Sequence, residues 1–193
     1  MTDTTLETQF DSFFALFEQP VQFEVDQQSL DQHLRLLQKR YHPDNMAKSA
    51  STTAQAKQQS EQASALINQA YQTLIAPDSR AGYLLEMADQ AQNVEHSIAD
   101  LDFLEDAMQM RMDLDDAIED KATSILQQLH PQISARLNKQ STRFNEAYKS
   151  QDWQTAIDAT QKLKFLVKLN ADVTTALDDV ATSQHSDDDD LYV

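Results

Sequence analysis

A histidine and a carboxylate held on either side of a proline, His42-Pro43-Asp44, follow directly on a run of cationic side chains, Arg35, Lys39 and Arg40. Three chemistries compete for such a group. An imidazole close to a carboxylate is the start of an acid-base or nucleophilic site, but no Ser or Cys stands at a recognisable elbow and no third partner is evident. The group also reads as a simple helix stop, because Pro43 lacks an amide hydrogen and drives His42 out of the α region. The third chemistry is recognition. A stiff exposed turn offers Asp44 as a charge-assisted acceptor beside basic side chains that suit an acidic protein partner.

The flanking elements weigh between these readings. Leu30, Leu34, Leu37 and Tyr41 recur at helical spacing and predict a helix from about Gln27 to Tyr41, with Arg35, Lys39 and Arg40 directed away from the apolar stripe. Ala63, Ile67, Ala70 and Leu74, with Leu66 and Tyr71 beside them, predict a second helix over roughly Thr53 to Ile75. The two pack antiparallel, and residues 42–52 form the loop that carries the His-Pro-Asp group. Upstream, residues 1–9 are expected to be disordered, and Asp11 to Phe17 form a short aromatic helix ended before Pro20. Downstream, Pro77 opens a fourth short helix containing Ala81, Leu84 and Leu85.

Composition narrows the class. One Gly and four Pro in 193 residues, with long periodic stretches and no hairpin signal, predict an all-α chain with enough apolar content, 40%, for a sizeable core. The chain has no Cys, hence no disulfide, thiolate metal site or redox centre, which fits a reducing compartment. It shows neither a leader pattern nor about 18 successive apolar residues, so a cytoplasmic protein with no membrane partner is expected. A formal net charge of −17 excludes nucleic acid as the main ligand, since phosphate binding needs a basic surface. Yet residues 30–50 hold four basic and two acidic side chains, +2, against 11 and 30, −19, in the rest. A basic island on an acidic protein is either a solvated helix face or a docking face for acidic protein surface.

The order of these elements, a short aromatic helix, a basic helix ending in Tyr41-His42-Pro43-Asp44 and a return helix with Ile67-Asn68-Gln69-Ala70-Tyr71-Gln72-Thr73-Leu74 before Pro77, resembles a J domain over residues 10–87. J domains belong to DnaJ-type co-chaperones, which stimulate ATP hydrolysis by a DnaK-type chaperone. The resemblance implies that His42, Pro43 and Asp44 stimulate the ATPase and that Arg35, Lys39 and Arg40 dock it.

Residues 88–99 are polar and aperiodic, a linker. Asp100 then caps a helix to about Ala117, followed by helices from about Asp120 to Lys149 and from Asp152 to about Thr182, a three-helix bundle over 100–182. Pro131 interrupts the second of these and predicts a kink or local break. The tail, residues 183–193, carries Asp187 to Asp190 and is expected to be disordered by self-repulsion. The first bundle helix has two apolar stripes, Phe103, Ala107, Met110 and Leu114 on one side and Leu101, Leu104, Met108 and Met112 roughly 160° away. A bundle buries one. The other is either covered by the linker or the N-terminal domain, or left as an interaction surface.

A J domain followed by an acidic three-helix bundle, with Arg80-Ala81-Gly82-Tyr83-Leu84-Leu85, Phe103-Leu104 and Lys162-Leu163-Lys164-Phe165-Leu166, resembles the HscB family. HscB proteins are non-enzymatic co-chaperones of iron-sulfur cluster assembly that bind an IscU-type scaffold and deliver it to an HscA-type ATPase. The resemblance implies a scaffold-binding surface of Leu104, Glu105, Met108, Gln109, Arg111, Met112 and Phe165. Glu105 stands where the family tends to have an apolar residue, and Gln109 and Met112 where acidic ones are common. Some eukaryotic relatives add a Cys-based metal site, which this chain lacks the residues to build, so neither metal nor cofactor is expected. The competing reading is a J-domain or helical adaptor for another client, with no part in iron-sulfur assembly.

Overall fold

The structure, a computed structural model, describes residues 10–42, 53–91 and 98–189, without the side chains of residues 53, 55, 56 and 183–189. The described residues form seven helices and no strand: α1 Phe13–Leu16, α2 Gln27–Arg40, α3 Thr53–Ile75, α4 Pro77–Met87, α5 Leu101–Glu119, α6 Thr123–Ser150 and α7 Trp153–Asp189. The all-α expectation, an N-terminal helical hairpin with short flanking helices and a C-terminal three-helix bundle, is met. Contacts divide the chain into two units between Ala88 and Asp89, and Asp89 itself adopts a left-handed backbone, φ 57°. Pro43 and Asp44, the expected disorder of residues 1–9 and part of the linker, 92–97, lie outside the described residues.

In the N-terminal unit the apolar stripes close on one another. Phe14, Phe17, Leu30, Ile67, Leu74, Leu84 and Leu85 are fully enclosed, and α2 packs on α3 as their registers require. The short helix α1 is too small to be stable alone. Ser12 caps it by accepting from the Ala15 amide, the Phe13 amide donates to the Tyr83 hydroxyl at 3.0 Å, and the Phe13 and Tyr83 rings stack at 4.7 Å. Between α3 and α4 the chain runs Ala76-Pro77, where a proline removes the amide that would have continued the hydrogen-bond ladder. The carbonyls left at the end of α3 are taken by the buried Arg80 guanidinium, which donates to Leu74 O and, at 3.3 Å, to Ile75 O and lies over the Phe23 ring at 4.8 Å. Burial pulls this group down to about 10, against the opposing pull of Asp78, so it stays charged at neutral pH.

In the C-terminal unit α6 and α7 form the principal antiparallel pair and α5 lies more sparingly against both. Their shared core is Met110, Leu114 and Ala117 from α5, Leu126, Leu129 and Ile133 from α6, and Leu166, Leu169, Val173 and Ala176 from α7. Two of the turns are closed by left-handed residues that are not glycine, Lys121 at φ 50° and Gln151 at φ 59°. The second is followed by Asp152, which caps α7 by accepting from the Thr155 amide at 3.2 Å. Asp100 caps α5, as its sequence position predicts, by accepting from the Phe103 amide at 3.0 Å.

Two boundaries differ from expectation. Helix α6 runs unbroken from Thr123 to Ser150 through Pro131, so the local break, one of the two outcomes expected there, does not occur. Pro131 and Gln127, whose carbonyl loses its partner, are both exposed one turn apart, so solvent hydrates that carbonyl while Leu126, Leu129 and Ile133 stay buried. The core burial on one face offsets the roughly 3 kcal/mol that an interior proline costs. The last helix also outruns its predicted end near Thr182 and continues to Asp189. No Gly or Pro stands between 153 and 189, and adding a residue to an existing helix needs no new nucleus.

Helices α5 and α6 are tied by a fork of Arg136 on Asp106, Nε to Oδ2 at 2.7 Å and Nη2 to Oδ1 at 2.8 Å, which holds the Asp106 carboxyl below the usual carboxylate range. Lys162 does the same for Asp100, and the Thr155 hydroxyl and amide for Asp152. A depressed carboxylate releases its proton more readily in the folded chain, so the stability it contributes is present above the unfolded value near 3.9 and is lost as pH falls through the folded value. Urea unfolding followed at stepwise lower pH is therefore expected to weaken below about pH 4, and Asp106→Asn to flatten that acid limb. In α4 a Cβ added to Gly82 meets nothing within 4 Å, so Gly82→Ala is expected to stabilise the chain by about 0.5 to 1 kcal/mol, read as a raised melting temperature.

Candidate docking surfaces

The first surface begins where α2 ends. Asp26 starts the helix by accepting from the Gln28 and Ser29 amides, and Lys39 and Arg40 fall in its last turn, where positive charge is favoured by the helix dipole. The helix is fastened to α3 twice: at its C-terminus the buried Ser60 hydroxyl donates to Tyr41 O at 2.7 Å, and in its first half the Tyr71 hydroxyl donates to Asp31 at 2.7 Å. That hydrogen bond to Asp31, with burial, raises the Tyr71 phenol, so it remains a donor. His42 therefore emerges, exposed, from a backbone that is fixed one residue earlier. Arg35, Lys39 and Arg40 are exposed on the same helix, with the Arg40 guanidinium over the Tyr41 ring at 5.5 Å. Leu36, exposed between Arg35 and Lys39, belongs to this face although no motif pointed to it; its place outside the register of Leu30, Leu34, Leu37 and Tyr41 was the available signal.

The second surface is the outward face of α5. Ala107, Met110, Leu114 and Ala117 turn into the bundle core. On the other side Leu101, Met108 and Met112 stand 77%, 66% and 58% exposed, and Glu105 is exposed among them. Leu104 is half-buried. Gln109, also exposed, donates to Asp113 at 2.7 Å. Arg111 is drawn into the bundle, reaching Asp115 on its own helix at 2.8 Å and Asp172 on α7 at 2.5 Å, and its guanidinium is accordingly pushed further up. Phe165 of α7 is half-buried and meets α5 through Phe103, edge to face, with ring centroids 6.2 Å apart. Phe103 is thus only partly buried, at the rim of the core and not inside it as its stripe implied. Leu101, the most exposed of the row, was in the stripe but not among the residues the family resemblance implied.

Among the described residues no group of three or more His, Asp or Glu side chains is arranged to hold a metal ion, and no helix is long and apolar enough to cross a membrane. A J-type helical hairpin joined to a three-helix bundle, each presenting side chains suited to protein contact, is the architecture of a co-chaperone.

The comparisons narrow the class to one family. Residues 99–174 match the family model described as the HSCB C-terminal oligomerisation domain. A "Co-chaperone protein HscB homolog" of Acinetobacter baumannii is 34% identical over 179 residues, 93% of this chain and 95% of that protein. One from Photobacterium profundum is 36% identical over 163 residues, 83% of this chain and 93% of the relative. Among solved structures, chaperone HscB from Vibrio cholerae is 32% identical with a TM-score of 0.69 and covers 88% of this chain and 99% of its own. Human co-chaperone protein HscB, 24% identical over 85% of this chain and 83% of its own, shares the fold with a TM-score of 0.66. The chain belongs to the HscB co-chaperone family, whose members are co-chaperones and not enzymes.

The two faces of α5 differ in what truncation costs. Leu114, fully enclosed, is expected to lose about 2 to 5 kcal/mol of stability as Leu114→Ala, whereas Met108→Ala and Met112→Ala should each change it by less than about 0.5 kcal/mol. Denaturant titrations of the three variants make the comparison.

Proposed function

We propose that this protein binds an IscU-type iron-sulfur scaffold through the outer face of α5 and presents it to an HscA/DnaK-type chaperone, whose ATP hydrolysis it stimulates through the His42-Pro43-Asp44 turn. The observation that carries the proposal is the exposed row Leu101, Met108 and Met112 in a member of a co-chaperone family. Solvent-facing Leu and Met side chains aligned on one helix lower their free energy when a partner covers them, and thioethers adapt to irregular partner surfaces. Leu104 and Phe165 extend that row from its half-buried edge. Glu105 and Gln109 supply polar contacts beside the apolar centre. Arg111, already paired with Asp115 and Asp172, acts mainly by fixing α5 on α7 and only secondarily as a partner contact.

At the other unit, Arg35, Lys39 and Arg40 attract the acidic surface of the ATPase, and His42, Pro43 and Asp44 make the contact that hydrolysis responds to. Electrostatic attraction raises the encounter rate; the turn itself supplies specificity. Iron-sulfur clusters are in this scheme cargo of the scaffold and need no ligand from this chain. A setting in the same compartment as the ATPase and scaffold, the cytoplasm, accompanies the proposal.

Phosphate release by an HscA-type ATPase, measured with the scaffold and this protein, tests both surfaces. His42→Gln and Asp44→Asn are expected to remove the stimulation while leaving the melting temperature unchanged. Arg35→Ala and Arg40→Ala should weaken docking more at low salt than at high salt, because an exposed charge acts through a screened field. Replacing Leu104, Met108 and Phe165 together by Ala should abolish scaffold binding, as apolar anchors can each contribute about 2 kcal/mol or more. Stimulation without any scaffold binding by the unmodified chain would instead identify a J-domain adaptor for another client.

A further inference from the structure

The strongest feature that the docking surfaces leave unused is a buried cation. Lys162 lies on the inner side of α7 with only 2% of its surface exposed. Its Nζ donates to Asp100 Oδ2 at 2.6 Å and to Asp158 Oδ2 at 2.9 Å, and sits over the Phe103 ring at 5.4 Å. Asp158 in turn is 3.5 Å from Arg143 Nη2 on α6. One ionic chain, Arg143 to Asp158 to Lys162 to Asp100, thus touches all three helices of the bundle. Its far end is the residue that caps α5.

A lone ammonium so deeply buried is costly, and a bundle of this kind has no need of one for its core. What the lysine does accomplish is geometric. Full apolar burial holds α5 on the bundle from Ala107 onward, whereas before it Phe103 is only partly buried against the core and Leu101, Leu104 and Glu105 are outward or half-buried. Arg136 reaches Asp106 from α6, and from α7 Lys162 reaches the very start of the helix: it grips the cap at Asp100 and the face of Phe103, and Phe103 abuts Phe165. Charge-assisted hydrogen bonds with two carboxylates set a position more sharply than apolar contact does.

We infer that Lys162 is a positioning residue for partner binding, locking the start of α5 onto α7 so that Leu104 and Phe165 form one continuous contact surface. The inference rests on the scaffold-binding reading above. Lys162 itself, enclosed, touches no partner. It acts through Asp100 and Phe103.

Two variants test this in the whole chain. Lys162→Met keeps the length and apolar stem without the charge. Asp100→Ser keeps a good helix cap but is too short to reach Nζ, so the cap and the clamp are separated. In both, amide hydrogen exchange over residues 101–107 is expected to speed up, and affinity for the IscU-type scaffold to fall roughly tenfold. Val173→Ala, a core truncation toward the other end of the shared α5 and α7 contact, should lower the melting temperature yet leave scaffold affinity within about twofold. If Lys162→Met does not fold, Asp100→Ser decides the matter. Unchanged exchange and unchanged affinity in Asp100→Ser, or a loss of affinity in Val173→Ala as large as in the clamp variants, would overturn the inference. Failure of the unmodified chain to bind the scaffold would overturn the scaffold-binding reading itself, and the inference with it.

Discussion

Helix α5 carries apolar side chains on two faces and has one bundle in which to bury them. With α6 and α7 already paired along their length, α5 can present only the side bearing Ala107, Met110, Leu114 and Ala117 to the core. The small residues at 107 and 117 let the helix approach closely, and Leu114 fills the space between. Once that side is committed, helical geometry turns Leu101, Met108 and Met112 into solvent. The exposed row is therefore a direct consequence of how the bundle closes. A second core on that side would need a fourth helix in the unit, and the described residues of the C-terminal unit supply three.

Packing of this kind fixes a helix firmly in its middle and loosely at its ends. The C-terminal unit answers with charge at several places: Asp106 with Arg136, Arg111 with Asp172, and Asp100 with Lys162. The first two are partly exposed pairs and contribute modestly to stability, since water screens them. The third is enclosed on the lysine side, where an ion pair is costly to bury and therefore specific in its geometry. The N-terminal unit uses hydrogen bonds from neutral hydroxyls for the same end, Ser60 on Tyr41 and Tyr71 on Asp31, and one buried guanidinium to finish α3.

Non-glycine residues close the turns of this glycine-poor chain. Glu18, Asp89, Lys121 and Gln151 all hold left-handed backbones, which a side chain disfavours. Each carries polar side-chain atoms that remain in water. The strain is modest at each turn and is offset by the helices whose packing it permits.

Sequence alone determined a great deal here. Apolar periodicity located the long helices, the last one's end excepted, to within a few residues, Asp100 and Asp152 announced a cap and a start, and the two stripes of α5 were legible because a helix repeats every 3.6 residues whatever surrounds it. Local chemistry of this sort is written in neighbouring residues. Tertiary structure decided what depends on distant ones: which stripe of α5 is buried, that Phe103 sits at the rim, and that α6 runs on through Pro131 with that residue on an exposed face. It also decided that Lys162, four residues after an aspartate and in an apolar register, meets a carboxylate 62 residues away. Periodicity states that a face exists, but the free energy of burying it belongs to the partner it meets, and that partner lies elsewhere in the chain.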